Sequence, residues 1–322
     1  MLMKVIGYHQ AHDIEWDDFV LNQSANGTIF HTRNFLNYHP SNRFDDQSIL
    51  IYDESRIIAV IAVAKTKKGY FSHPGTSGGG PIIHKKYFKM KKIIFILDKI
   101  LEYYRDRLSL RLMESYFTNY SNEPILFYLY HKYRIYPELS VYKKLDFEDK
   151  FLSVNHPQSR NSIRKLHSEG FIFTPTDKIE DYELFYTLLN SNLSKYNVKP
   201  IHSFNEIMRL KGLLSKDQLL FVAKNHEGTI VAATWIIKAT KKAWHMQYYV
   251  KDYSFNFRGL VEGLIIECAD YAKDCGAEIL SFGISTENKG RYLNLSLISF
   301  KEELNVSYQN RYLLEVKNDN TI

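Results

Sequence analysis

The most informative part of this chain is a basic stretch, Ser159-Arg160-Asn161-Ser162-Ile163-Arg164-Lys165-Leu166-His167-Ser168-Glu169-Gly170. Just before it, Pro157 suits a first helical turn, where its missing N–H costs no hydrogen bond. Gly170 suits the end of a helix, and Asn155 is the expected N-terminal cap. The pattern therefore predicts a helix over Pro157–Ser168.

Three cations of this helix are candidates for holding an anion. Arg160 and Arg164 are four residues apart and share a helix face, and Lys165 lies beside them. Guanidinium groups bind phosphate or carboxylate in a bidentate geometry. Charge alone equally allows a solvated basic face.

Length and composition indicate a globular protein with two domains of ordinary size or one large domain. The chain has 322 residues, of which 45% are hydrophobic and 24% charged. A formal net charge of +6 suits an anionic small substrate and is low for a dedicated nucleic-acid-binding protein. We therefore do not expect DNA as a partner.

Cysteine usage predicts a reducing compartment. Cys268 and Cys275 are expected on one helix, about 10 Å apart along its axis, which is too far for a disulfide. No apolar run approaches the roughly 20 residues of a membrane helix, and the first residues lack a signal-peptide core. The sequence predicts a cytoplasmic protein without a transmembrane segment.

The two halves of the sequence show the same order of predicted elements. Each reads as a helix pair, a strand hairpin, a strand, a loop, a long helix, a strand, a helix and a strand. The long helices are predicted over 86–107 and 257–273. We predict an α/β fold with two domains, residues 1–150 and 151–322, each a mixed sheet flanked by helices.

Three short motifs resemble the FemAB-like family. The segment Arg160–Gly170 looks like the family's R-x-x-I-R-K-A…G-V, and Ser281-Phe282-Gly283 resembles its D-F-G strand end with Ser281 in place of the acid. Leu297–Leu304 is similar to the terminal L-x-x-F-K-x-x-F. This family includes the Fem peptidoglycan aminoacyltransferases and relatives in bacterial glycan loci. The resemblance implies two tandem GNAT-like (acyl-CoA N-acyltransferase) units.

The resemblance also implies an activity. It predicts an N-acyltransferase that moves an acetyl, acyl or aminoacyl group to a free amine of a bacterial envelope glycan or peptidoglycan precursor. The amine attacks the donor thioester or ester directly, which fits a sequence without a nucleophile elbow, metal-ligand spacing or P-loop. The alternative is a non-catalytic GNAT-like module that binds a nucleotide-sugar or glycan.

Acyl-CoA, such as acetyl-CoA, is the predicted donor, with aminoacyl-tRNA as the alternative, and no metal is expected. GNAT units carry R/Q-x-x-G-x-G/A where backbone N–H groups meet the CoA pyrophosphate. Arg258 and Gly259 match that motif in part and are the predicted donor-binding residues. The long helical hairpin implicated in tRNA contact in coccal Fem proteins is absent from the sequence. The expected acceptor is an anionic nucleotide-sugar or muropeptide.

Catalytic candidates lie in the second half. Lys301 matches the family's terminal lysine, which in relatives is associated with the aminoacyl donor and with proton handling at the reacting ester. The alternative role for Lys301 is a solvated lysine in the last turn of a helix. His245 and Tyr248 lie on a strand predicted over 243–250, where core packing is the common role of such side chains.

The remaining candidates are binding residues. A glycine loop in the first half permits positive φ and close approach of a phosphate, although a plain loop is an equal alternative. Its candidate phosphate-binding residues are Gly78, Gly79 and Gly80. Further contacts to the substrate are expected from Lys195, Tyr196 and Phe300.

Overall fold

The computed structural model describes residues 3–151 and 153–317. It divides the chain into two compact units that interleave in the sequence. Unit 1 contains the chain to Leu139, Thr286–Tyr292 and the chain from Asn310. Unit 2 contains Ser140–Ser285 and Leu293–Gln309. The sequence, by comparison, predicts a single division after residue 150.

Helices and strands alternate through both units. The helices are α1 (Asp13–Asp18), α2 (Arg33–Leu36), α3 (Met90–Tyr103), α4 (Glu123–Leu129), α5 (Pro157–Ser168), α6 (Ile179–Ser194), α7 (Phe204–Leu213), α8 (Leu260–Asp274) and α9 (Leu295–Glu302). The strands to the middle of the chain are β1 (Met3–Gly7), β2 (Asp45–Asp46), β3 (Ile49–Asp53), β4 (Arg56–Ile61), β5 (Ala64–Thr66), β6 (Gly69–Phe71), β7 (Ile82–Ile83), β8 (Leu108–Leu112) and β9 (Tyr133–Lys144). The later strands are β10 (Ile172–Thr176), β11 (Gln218–Lys224), β12 (Ile230–Ile237), β13 (Ala243–Lys251), β14 (Ile279–Ile284), β15 (Thr286–Glu287), β16 (Tyr292–Leu293) and β17 (Ser307–Val316).

Unit 1 builds its core around α3. Its strands lie in the orders β1-β3-β4-β7 and β17-β8-β6-β5-β2. α3 is shorter than the predicted 86–107, because a separate helical turn precedes it and Arg105 and Asp106 adopt positive φ after it. The helix packs one apolar face into the core, at the spacing of an amphipathic helix. These buried residues are Ile93, Ile96, Leu97, Ile100 and Leu101.

Unit 2 holds the strand order β10-β11-β12-β13-β14-β9. β13 and β14 are parallel and are linked by α8, whereas the other pairs are antiparallel. In unit 1, β6 and β8 are likewise parallel, and α3 lies between them in the chain. Parallel neighbours need such a crossover. Each unit thus contains a mixed sheet with a long crossover helix, and unit 1 adds the antiparallel sheet β1-β3-β4-β7. These features confirm the predicted two-unit α/β fold.

α5 has the predicted bounds but a different cap. His156, not Asn155, is the N-cap, because its Nδ1 accepts the Gln158 N–H at 3.2 Å. Asn155 instead donates its side-chain amide to the carbonyl oxygen of Glu302 at 2.8 Å. Gly170 ends the segment with a φ of +77°, as predicted.

The sequence makes predictions about both the two cysteines and the length of the apolar helices. Cys268 is buried within α8 and Cys275 is exposed just after it, both as free thiols. Over residues 3–151 and 153–317, no helix has the length and apolar character needed to cross a membrane.

Candidate functional site

The candidate site lies where β13 and β14 separate in unit 2. The two strands pair through Ala243–His245 and Ile279–Ser281, and β13 then continues to Lys251. β14 bulges instead: its register with β9 shifts between Ser281 and Ile284, and Gly283 takes a φ of +66°. A bulge of this kind turns backbone carbonyls out of the regular ladder.

Lys301 occupies the space beside this bulge. Its side chain is only 1% exposed, so it is not a solvated lysine. The Nζ donates to the carbonyl oxygens of Phe282 at 2.9 Å and Ile284 at 3.1 Å, and to the Ser285 Oγ at 2.9 Å. A fourth, longer contact of 3.4 Å joins the Nζ to the carbonyl oxygen of Gly283 itself. Burial lowers the pKa of Lys301 to about 7. A buried amine with a lowered pKa is a candidate for proton transfer.

His245 reaches the same bulge from β13. Its Nδ1 lies 3.2 Å from the Oγ of the fully buried Ser281, which also accepts the Gly283 N–H at 3.2 Å. A Cβ atom on Gly283 would lie 3.3 Å from the His245 Cε1. Because Lys301 binds the carbonyls on both sides of Gly283, two of the three predicted catalytic side chains lie against one residue. Ser281 supplies a hydroxyl at this point of the strand.

Tyr248 lies in a different cluster. The register of β12 with β13 shifts between Trp235 and Ile236, so simple alternation does not hold along this strand. Tyr248 stacks on Trp235 at 6.2 Å, and its hydroxyl is 2.9 Å from the Nδ1 of His202. Burial raises the pKa of Tyr248 to about 12. These contacts anchor the ring in the sheet and do not include Lys301.

Three predicted substrate-binding residues share an aromatic surface in unit 2. The Phe300 ring is 5.6 Å from Tyr249, and the Lys195 Nζ lies 2.8 Å above the ring of Tyr253. Tyr196 is 72% exposed. Burial, and then the nearby Tyr196, raises the pKa of both Tyr249 and Tyr253. Aromatic and cationic groups of this kind suit a substrate with π-faces or phosphates.

The cations of α5 do not converge on one point. The Arg160 Nε donates to the carbonyl oxygen of Val154 at 2.6 Å, within the turn that precedes its own helix. Arg164 is exposed and lies 5.4 Å from the Phe151 ring, and Lys165 is exposed and lies 5.7 Å from another ring, that of Phe257. Their anion-binding role remains a prediction.

The glycine loop is packed against β8. The Gly79 N–H donates to the carbonyl oxygen of Arg111 at 2.7 Å, and a Cβ atom on Gly78 would lie 2.9 Å from the Met113 Cα. Gly80 has a φ of +91°. The turn that enters α3 is formed by residues 84–89 instead. Close packing accounts for these glycines, and phosphate binding by them stays a prediction.

The predicted donor-binding residues lie where α5 covers the start of α8. Gly259 is the N-cap of α8 with a φ of +80°, and a Cβ atom there would lie 2.7 Å from the Ser162 Cβ. Arg258 donates from its guanidinium to the Gln158 side-chain oxygen at 2.7 Å. α5 therefore occupies space at the helix end where a CoA pyrophosphate meets a GNAT unit.

This packing predicts a specific loss of stability. Gly259→Ala should lower the free energy of unfolding by about 3 kcal/mol, from backbone strain and from the clash with Ser162. Gly276→Ala is the matched control, because Gly276 has a φ of +88° with no heavy atom within 4 Å of the added Cβ. It should lose only about 1 kcal/mol. Urea unfolding measures both, and equal losses would show that Gly259 is not tightly packed.

The sequence did not indicate a second buried lysine, Lys143 of β9. It is 1% exposed, and its Nζ donates to the carbonyl oxygens of Ser153 at 2.8 Å and Leu304 at 2.6 Å. Burial lowers its pKa to about 8. The strand alternation that buries Val141 also points Lys143 inward. This alternation is the feature of the sequence that could have revealed the buried lysine.

The described part of the chain contains no group of three or more His, Cys, Asp or Glu side chains placed to hold a metal.

Comparisons with known proteins identify the fold. No protein-family model matches the sequence, and the curated proteins searched gave no match. A crystal structure of FemX is similar over 98% of both chains, with a TM-score of 0.70 and 12% identity. The C-terminal domain (DUF2156) of a putative lysylphosphatidylglycerol synthetase from Agrobacterium fabrum is similar over 96% of this chain and 93% of that one, with a TM-score of 0.61 and 14% identity. A tandem GNAT protein from the clavulanic acid biosynthesis pathway covers 99% of this chain and 100% of its own, with a TM-score of 0.53 and 9% identity. The predicted FemX-like, tandem GNAT fold is confirmed.

Proposed function

We propose that this chain is a FemAB-like N-acyltransferase. It transfers an acyl or aminoacyl group to a free amine of a bacterial envelope glycan or peptidoglycan precursor. The observation that carries the proposal is the buried amine of Lys301, which lies with His245 against the bulge of β14 and whose pKa is lowered by burial. The FemX-like fold supports the same class of chemistry.

The reaction requires that the protein position the donor carbonyl beside the acceptor amine and transfer one proton from that amine to the leaving group. The acceptor amine attacks the carbonyl carbon of the donor, a C–N bond forms, and the C–O or C–S bond to the carrier breaks. The proton lost by the amine passes to the leaving alkoxide or thiolate, which departs as the alcohol or thiol. Lys301 and His245 handle that proton, and an ammonium on Lys301 also stabilises the negative charge on the carbonyl oxygen.

The packing at the start of α8 favours one of the two acyl donors. The sequence favours acyl-CoA, with aminoacyl-tRNA as the alternative. Ser162 against Gly259, and Gln158 against Arg258, fill the position at which a CoA pyrophosphate would contact unit 2. This crowding favours aminoacyl-tRNA.

The aromatic surface of unit 2 suits the acceptor. Tyr196 provides an exposed ring, Phe300 a half-buried ring and Lys195 a cation for a nucleotide-sugar or the phosphates of a muropeptide precursor. We assign acceptor binding to this surface.

A non-catalytic module that binds a nucleotide-sugar or glycan is the second candidate. Ser281 in place of the family's acid, and the near-complete burial of Lys301, favour it. A binder would keep its affinity for the ligand after Lys301 is replaced, whereas an enzyme would lose turnover.

Activity and donor choice can be tested together. Purified full-length protein should transfer a radiolabelled group from charged tRNA to members of a panel of amino-sugar nucleotides and muropeptides, more readily than from acetyl-CoA. Charged tRNA, rather than CoA, should raise the melting temperature. Inactivity with both donors across the whole panel would contradict the enzyme, and activity with acetyl-CoA alone would contradict the assignment of the donor.

A further inference from the structure

A dense group of lysines precedes and begins α3 in unit 1. We call it the lysine patch: Lys85, Lys86, Lys89, Lys91 and Lys92. No acidic residue lies between 85 and 97, so this segment carries five positive charges in a chain whose net charge is +6. The segment is thus a local concentration of positive charge.

The lysine patch opposes the stability of its own helix. α3 has no acidic residue in its first turn and no side-chain cap, so lysines meet the positive end of the helix dipole. Burial, and then the charges of Arg56 and Lys86, lower the pKa of His84, which reports the same positive field. This repulsion lowers the stability of the isolated protein, and an anionic partner would neutralise the charges that cause it.

Two side chains of the lysine patch make contacts within the protein. The Lys85 Nζ donates to the carbonyl oxygen of Asn22 at 3.1 Å, and Lys92 lies 4.0 Å from the Tyr87 ring. The others, Lys86, Lys89 and Lys91, are exposed.

Apolar side chains protrude among these charges. Met90 is 37% exposed and Phe95 is 52% exposed, both on α3. α4 contacts α3 through the Tyr128 hydroxyl, which donates to Asp98, and adds the exposed Phe127. Helices that lie in the interface of a bilayer combine lysines with protruding apolar residues in this way.

We propose that the lysine patch, with Met90 and Phe95, docks unit 1 onto the surface of an anionic lipid bilayer. Clusters of four to eight basic residues on an amphipathic helix suit acidic headgroups. RNA is the less suitable partner, because the patch consists of lysines, whereas arginine provides the bidentate fork for phosphate, and because Met90 and Phe95 gain burial only in a bilayer. This inference is independent of the proposed acyl transfer.

Vesicle binding tests the proposal. Full-length protein should co-sediment with vesicles of phosphatidylcholine and phosphatidylglycerol, but not with phosphatidylcholine alone, and added NaCl should weaken the binding. The triple variant K86Q/K89Q/K91Q should lower partition roughly 100-fold, at about fivefold for each lysine near the surface. Adding Phe95→Ser to the triple variant should lower the partition into vesicles by a further factor of about ten.

The chain offers a matched control. Lys65, Lys67 and Lys68 are exposed lysines of the same unit around the β5–β6 turn, so K65Q/K67Q/K68Q removes the same charge elsewhere. If the control variant still binds the anionic vesicles as the wild type does, the proposal is supported. Equal losses in the two triple variants, equal binding to both kinds of vesicle, or binding of RNA or CoA through the patch without vesicle binding would overturn it.

Discussion

Lys301→Met is expected to lower the turnover of acyl transfer by about 10³-fold. The variant keeps the length of the side chain and removes the amine. Loss of a general acid or base costs about 10²–10⁴-fold and loss of one donor to the carbonyl oxygen about 10²–10³-fold, and the expected loss assumes that only one of these two effects is limiting. Single-turnover transfer from the charged donor measures the effect. Binding of donor and acceptor should change little, because the lost interaction acts in the transition state.

Lys143→Met provides the control for this experiment. Both lysines are 1% exposed and both donate to backbone carbonyls, so each variant removes the same buried amine from the same kind of carbonyl cage. Both should lose stability through unsatisfied carbonyls, by about 1–3 kcal/mol. Only Lys301→Met should lose turnover per folded molecule. Equal activity in the two variants would show that Lys301 is purely structural.

The free energy of unfolding should rise with pH between 7 and 9 because of these lysines. Burial lowers the pKa of Lys301 to about 7 and that of Lys143 to about 8, below the ordinary lysine value of 10.5. The unfolded chain therefore binds more protons in this range, and stability increases as the pH rises. We expect a gain of about 2 kcal/mol from Lys301 and about 1 kcal/mol from Lys143.

Urea unfolding of the wild type and of Lys301→Met at several pH values isolates this effect. Groups shared by both proteins cancel in the difference, so the stability gap between them should change by about 2 kcal/mol from pH 7 to pH 9. Lys143→Met should change the gap by about half as much. A gap that stays constant would mean that Lys301 keeps an ordinary pKa.

Local signals predicted much of the fold. Pro157 and Gly170 fixed the bounds of α5. The end of α3 was missed because positive φ at Arg105 is a tertiary feature without a sequence signal. The interleaving of the two units depends on contacts between distant segments, which periodicity does not report.

The candidate site was only partly predictable. A motif indicated Lys301, but its burial depends on the bulge at Gly283, which strand periodicity cannot reveal. The shift of register in β12 and β13 likewise separates Tyr248 from the faces that alternation assigns. Lys143 was overlooked because lysines are rarely buried, even though its strand position pointed inward.

A crystal structure of the full chain with a non-hydrolysable donor analogue tests the central claim most directly. An amide-linked aminoacyl-adenosine and acetonyl-CoA, a ketone analogue of acetyl-CoA that keeps the carbonyl group, represent the two donors. We predict that the reacting carbonyl oxygen lies about 3 Å from the Lys301 Nζ, where β13 and β14 separate. A reacting carbonyl bound at Gly78–Gly80 of unit 1, with Lys301 keeping its bonds to Phe282 and Ile284, would contradict the account.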